Sequence, residues 1–371
     1  MGDGGASQTE AWLRLNASGL SPKLQLALLE AFGSPDAIFG ATNEHLRVVD
    51  GIASTHLGKL RDAEAELDVG AMLERLDELG AHVLPIADEG YPPLLREIDD
   101  PPPLLFVRGA LSDRDDLSIA VVGTRKRSPY GEQVTGQLAR DLVRRGFTVV
   151  SGLAMGIDAD AHRATLDAGG RTVAVTGCGI DINYPSANAE LRERIAEDGA
   201  VISEFAMGTP PTRERFPQRN RIIAGMSLGT VVIEAPNKSG ALITARLAGE
   251  YGRGVFAVPG NITSPVSRGS HALLRDGALL VETAEDIVEG LGIMLEAVPE
   301  REPAPERERK LDELPADQQQ VLAALSHQPR NIDDVAIDCG LPLPQVSAAL
   351  MLLEVKGFVK RFPGNQFVRT V

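Results

Sequence analysis

Between residues 119 and 290, short apolar runs alternate with longer amphipathic stretches. The runs are IAVVG, FTVVSG, TVAVTG, AVISEF, TVVIEA, VFAVPG and a weaker LLVET. They are apolar throughout rather than at every second position, the pattern of strands covered on both faces by helices. The stretches between them predict helices over 131–145, 158–168, 187–198, 219–226, 241–251, 271–275 and 285–291. Regular alternation of strand and helix predicts an α/β fold, a Rossmann-like doubly wound parallel sheet spanning residues 119–291.

The flanks carry other patterns. Residues 11–80 read as helices, with Ser21-Pro22 and Ser34-Pro35 as starts of the N-cap and N1-proline kind. EHLRVVDGIASTHLGKL resembles a helix-hairpin-helix with Gly51 in its turn, which fits either phosphate binding through backbone amides or simple packing. Residues 1–80 are therefore expected to form an N-terminal helical domain of the SAM or helix-hairpin-helix kind. Residues 81–118, with strand-like HVLPI and LLFVRG around Asp-Asp-Pro-Pro-Pro, read as a rigid connector or extension of the Rossmann domain. Proline with alternating charge marks residues 292–314 as an exposed linker. Residues 315–371 predict three helices and a hairpin with Pro-Gly-Asn at its turn, a winged-helix domain. Its second hairpin helix, PQVSAALMLLEVKG, has few groups to read bases, so DNA contact and protein contact both stay open.

Composition narrows the class. At 371 residues the chain is long for one domain. No apolar run approaches the roughly 20 residues of a membrane helix, and MGDGGASQTEAW lacks the charged and apolar regions of a signal peptide. Cys178 and Cys339 are isolated, which argues against a disulfide framework or a zinc site and for a reducing cytoplasm. No metal or other cofactor is expected. A formal net charge of −15 argues against a protein that coats nucleic acid over its whole surface. Arginines nevertheless cluster at 125–127, 140–145 and 213–221, in the middle of the chain. That segregation favours an anionic ligand there, although Arg140, Arg144 and Arg145 read as a solvated helix face.

In a doubly wound sheet ligands sit beyond the carboxyl ends of the strands. Here those ends carry glycine and small polar residues. Gly123, Thr124 and Arg125 offer amides, a hydroxyl and a guanidinium, and Ser151-Gly152 offers a second phosphate-sized turn. In FPQRNRIIAG, Phe216 is placed to stack a base, Arg219 and Arg221 to clamp phosphates, and Asn220 to bond a base edge or hold the loop. Lys238, Ser239 and Gly240 combine a cation, a hydroxyl and a helix start, and Arg268 adds a further cation. Asp158 reads as a helix cap, His162 as a structural hydrogen-bonder, Cys178 as a small buried filler and Asn188 as a turn or cap residue, with DNA contact as its second reading. Glu204 and Glu234 fit either a base or ribose contact or neutralisation of nearby arginines. Tyr184, Phe205 and Trp12 read as core.

The runs YPPLL…DPPPLLFVRG, VVGTRKRSPYG, SGLAMGIDADAH, YPSANAEL, SEF, FPQRNRIIAGMS, SGALITA and VPGNITSPVSRGSHALLRDGA, in this order, resemble the bacterial DNA-processing protein family DprA, also called Smf. The resemblance covers roughly residues 90–280. It implies a homodimeric single-stranded-DNA-binding protein that protects incoming strands and loads the RecA recombinase on them during natural transformation. It implies no enzymatic activity, and it places dimerisation and the recombinase contact near HALLRDGALLVET. Two enzyme readings compete. A nucleoside-monophosphate phosphoribohydrolase on a related scaffold needs a glutamate where APNKSGALIT puts Thr244, which cannot act as a carboxylate. A dinucleotide-dependent oxidoreductase needs glycines where Gly123 is followed by Thr-Arg-Lys-Arg.

Overall fold

A computed structural model of the chain describes residues 3–292, 314–326, 329–356, 358–362 and 364–369. Nine strands form the main sheet: β1 (Ala81–Pro85), β2 (Leu104–Gly109), β3 (Ser118–Val122), β4 (Thr148–Ser151), β5 (Thr172–Val175), β6 (Ala200–Ser203), β7 (Gly229–Val232), β8 (Gly254–Ala257) and β9 (Leu279–Leu280). Their order is β1-β2-β6-β5-β4-β3-β7-β8-β9. From β3 the chain steps outward through β4, β5 and β6, then returns to lay β7 against the other side of β3. The carboxyl ends of β3 and β7 therefore bound the crevice where the winding reverses, the place such sheets hold ligands.

Every apolar run expected to be a strand is one, because a strand covered on both faces must be apolar at successive positions. The alternation is visible in the packing. Leu104, Phe106, Val201 and Ala174 face one layer, while Leu105, Val107, Ile202 and Val173 face the other. On the second face lie the helices Arg215–Gly225 and Gly240–Glu250. The first face is covered by Pro129–Arg144 and Ala284–Leu291 over its central strands, and by Ile157–Asp167 and Ala189–Asp198 toward β5 and β6.

Residues 81–118, read as a connector or extension of the Rossmann domain with two strand-like runs, place both runs in the sheet. β1 and β2 pair antiparallel at its edge, and β2 runs antiparallel to β6. The sheet is thus mixed but dominated by parallel pairs. The N-terminal helices, Asp3–Ala17 through Val69–Glu78, extend the first layer. Trp12, Leu15, Leu28 and Leu60 share one buried cluster with Leu104, Phe106 and Val201. Ser21 and Ser34 cap their helices as expected, each accepting a backbone N–H three residues on. The residues 316–369 form the helices Ala316–Ala323, Ile332–Cys339 and Leu343–Val355 with a sheet of β10 (Arg330–Asn331), β11 (Val359–Phe362) and β12 (Gln366–Arg369), a winged helix. The expected linker falls almost wholly outside the described residues, as does Pro363 of the expected hairpin turn. Among the described residues no single helix is long and apolar enough to cross a membrane.

Candidate nucleic-acid interface

Beside the reversal point, the carboxyl ends of β3, β4 and β5 are held around a buried carboxylate. Asp158 stands in the first turn of the helix Ile157–Asp167 and accepts backbone N–H groups from Gly123, Gly152 and Ala154. Burial pushes its carboxyl up, while the Arg219 guanidinium and those three donors pull it down. Arg219 is only 3% exposed; it donates to the carbonyl of Gly152 at 2.7 Å and to that of Val175. Burial lowers its guanidinium to about 10. Asp158 and Arg219 together tie the ends of β3, β4 and β5 from within.

This geometry corrects several expectations. The amides of Gly123 and Gly152 are spent on Asp158 rather than open to phosphate. Their glycines serve close packing: a Cβ on Gly123 would lie 2.5 Å from Ile157, and one on Gly152 would lie 2.5 Å from the Arg219 guanidinium. Arg219 and Arg221 do not clamp phosphate. Arg221 is buried and paired with Glu204 at 2.6 Å and Asp100 at 3.1 Å. Asn220 donates to the carbonyl of Gly240 at 3.2 Å and so holds a loop. Ser151 donates to the carbonyl of Val121 inside the sheet. The helix carrying these side chains, Arg215–Gly225, starts four residues before the expected 219, because a proline at its third position needs no N–H partner there. From 219 to 225 it is buried all round, so its polar residues must pair internally.

The surface cations are a different set. Thr124 accepts the N–H of Lys126 and gives its own N–H to the carbonyl of Glu234, pinning the loop after β3 to the end of β7. Buried Glu234 accepts both the N–H and the hydroxyl of Ser128. Arg127 is taken by Glu132 and Asp160. Arg125 and Lys126 project outward. The Arg125 guanidinium sits 5.1 Å above the centre of the Phe216 ring. The Tyr184 ring lies 5.8 Å from Phe216, tilted by 34°. Arg125, Phe216, Tyr184 and Met155 line a small open concavity, floored by Gly152, Thr176 and Gly177. Tyr184 is 38% and Met155 46% exposed, so the concavity presents apolar and π surface to solvent. Lys238 and Arg268 are exposed at the neighbouring strand ends, and Ser239 caps the helix Gly240–Glu250 by accepting the N–H of Ala241. Gly269 donates to the carbonyl of Ala235, which brings the helix of Arg268 beside the loop that carries Lys238.

Tyr184 and Met155 were not legible as surface. Tyr184 reads as core, and the signal that could have flagged Met155 is its position between two glycine-bearing turns, SGLAMGID. Leu153 in that turn has a left-handed backbone, φ 53°, and buried Asn188 donates to its carbonyl at 2.9 Å. Asn188 is therefore a positioning residue for the turn, not a cap. His162 is buried, bonded to the Thr172 hydroxyl at 2.7 Å, and its imidazole is lowered to about 3 by burial and by the charges of Arg219 and Arg163. Cys178 is buried and its thiol is raised, inert rather than nucleophilic. Thr244 bonds the carbonyl of Gly240 within its own helix. Among the described residues no group of three or more histidine, cysteine or acidic side chains could hold a metal.

A mixed, parallel-dominated Rossmann-like sheet with a winged-helix appendage and an arginine- and aromatic-lined concavity at the carboxyl ends of β3, β4 and β5 defines a class of α/β proteins suited to polyanionic ligands. Residues 82–292 match the family described as DNA recombination-mediator protein A, and residues 303–365 match the DprA winged helix domain. The chain belongs to the DNA recombination-mediator protein A family, DprA or Smf. It is 34% identical to Protein Smf of Synechocystis sp. over 98% of this chain and 99% of that protein. It is 38% identical to the putative DNA processing protein DprA of Mycobacterium tuberculosis over 94% of this chain and 92% of that one. The structure of DprA from Streptococcus pneumoniae superposes with a TM-score of 0.67 at 36% identity, covering 74% of this chain and 95% of that one. A DprA structure from Helicobacter pylori, described for its single-stranded DNA binding mode, gives 0.51 at 31% identity, covering 57% of this chain and 95% of that one.

Proposed function

We propose that this chain binds single-stranded DNA along the carboxyl edge of its main sheet. The observation that carries the proposal is the Arg125–Phe216–Tyr184–Met155 concavity, an open π-lined recess beside outward cations. Single strands are held by cationic tracks for the backbone and aromatic faces for bases, with little sequence preference. A base entering the recess displaces the Arg125 guanidinium from the Phe216 face and leaves it beside that base's own phosphate. Lys126, Lys238 and Arg268 carry the strand along the rim, and Gly123, Thr124, Ser151, Gly152, Arg219, Asn220, Arg221, Ser239 and Gly240 hold that rim in shape. The DNA-binding description of the Helicobacter pylori relative supports the reading.

The finer proposal rests on the family. The bound strand is protected and passed to the RecA recombinase during transformation and recombination, by a homodimer acting without catalysis in the cytoplasm. The half-exposed Leu279 and Leu280 on the edge strand β9 fit a contact between copies. The division into residues 1–80, 81–118, 119–291, 292–314 and 315–371 is proposed with it. Titration of a labelled oligonucleotide against salt tests the core of this. Lys238→Gln should weaken binding and reduce the slope of log K against log salt by about 0.7, the value for one phosphate contact on a single strand. Arg125→Ala should weaken it and reduce the slope by a similar amount, because the cation beside the stacked base's phosphate is lost. Tight binding of mononucleotides, or unchanged binding by both variants, would overturn the proposal.

A further inference from the structure

A second recess opens on the other side of the same helical turn. Phe216 faces the concavity already described, while Arg215 and Gln218 face a groove of about 530 Å³ between the N-terminal helices and the sheet. In this groove the Arg215 guanidinium sits 5.8 Å above the centre of the half-buried Phe205 ring. The pairing repeats that of Arg125 over Phe216. Asp100 and Glu204, the groove's carboxylates, are both paired with Arg221, and Arg215 supplies the second cation. Arg215 makes no ion pair with a described carboxylate and bonds only the Pro210 carbonyl.

The opposite wall comes from the N-terminal module. Asn16 donates its Nδ2 to the carbonyl of Glu204 at 2.9 Å, which fixes its amide orientation. Its Oδ1 is buried and has no donor. That oxygen is closed off from the groove and is no contact for a ligand there. What the groove offers is the half-buried Phe205 face with the Arg215 guanidinium over it, which fits a stacked nucleobase and its phosphate.

We infer that this groove is a second nucleobase subsite, in which a base of the bound strand stacks on Phe205 and has its phosphate held by Arg215. The inference rests on the single-strand reading above and extends it: the strand crosses the Arg215–Phe216 turn and runs along the N-terminal helical module that forms the opposite wall.

The test uses the full chain and a ladder of oligo-dT, oligo-dC and oligo-dA of increasing length, with binding followed by fluorescence anisotropy. Phe205→Leu should leave the affinity for the shortest bound oligonucleotides unchanged and weaken the longer ones by roughly tenfold, the scale of one lost base stack. Phe216→Leu serves as the contrast and should weaken all lengths. Thermal unfolding curves matching those of the parent chain show that the variants are folded; if Phe205→Leu is not, Arg215→Gln replaces it, with the same length-dependent loss expected. Wild-type length dependence in the Phe205 or Arg215 variant overturns the second subsite while leaving the first intact. Failure of the parent chain to bind any oligonucleotide overturns the single-strand reading itself.

Discussion

Arg219 and Arg125 are the same residue type at the same sheet edge, and the fold uses them in opposite ways. Arg219 is a buried tie between strand ends and Arg125 an outward cation on an aromatic ring. Removing the buried one should cost stability, because Asp158 is then left as an uncompensated buried charge. Arg219→Met should lower the free energy of urea unfolding by roughly 3–5 kcal/mol, while Arg125→Ala should change it by less than about 0.5 kcal/mol. Equal effects on unfolding would show the assignment to be wrong. His162 gives a second check at this scale. Its imidazole titrates near 6.5 in the unfolded chain and at about 3 in the fold. Between those values the unfolded chain binds a proton that the fold refuses, so stability falls as pH drops below 6.5. The loss approaches about 1.4 kcal/mol per pH unit, or roughly 2 kcal/mol by pH 5. His162→Asn should remove that contribution, and unfolding free energies with the same pH slope in both proteins would refute it.

At the scale of elements, what the sequence made legible follows from which faces are covered. Strands buried on both faces announce themselves as apolar runs, and Ser-Pro starts announce helices, so the strand order of the Rossmann core and the winged helix were within reach. The edge pair β1 and β2 was harder, because prolines between HVLPI and LLFVRG read as a connector although both runs pair in the sheet. The arginines of FPQRNRIIAG were hardest. A helix buried on one side shows its phase by amphipathic spacing, but this one is buried all round from 219 to 225, and no periodicity distinguishes an inward arginine from an outward one. Tyr184 and Met155 escaped for the converse reason: apolar side chains are exposed only where a loop turns them out. The turns themselves can be tested. In Gly152→Ala the new methyl would lie 2.5–2.7 Å from the Arg219 guanidinium. The guanidinium must then leave its carbonyl partners, so unfolding stability should fall by about 1–3 kcal/mol with oligonucleotide affinity falling alongside. A variant as stable as its parent would mean that Arg219 has room to move.

At the scale of the molecule, the charge of −15 and the proposed DNA-binding rim are compatible because the acids lie elsewhere or are paired, as Glu204, Asp100, Glu132 and Asp160 are. The core is less evenly divided. The winged helix has its own buried cluster, built from Val321, Val335, Leu350 and Phe358 among others. The N-terminal helices have no such independence, since Leu15, Leu28 and Leu60 share a cluster with Leu104, Phe106 and Val201 on one face of the main sheet. Cutting the chain after residue 292 should therefore leave a soluble protein with the unfolding midpoint of the main sheet little changed. Cutting before residue 81 should uncover that apolar face, and faces of this kind drive association. The shortened protein should be aggregated or much less stable in size-exclusion and unfolding measurements. If it is instead monodisperse and as stable as the longer protein, the shared cluster contributes nothing to folding, and the N-terminal helices are a separable appendage resting on the sheet.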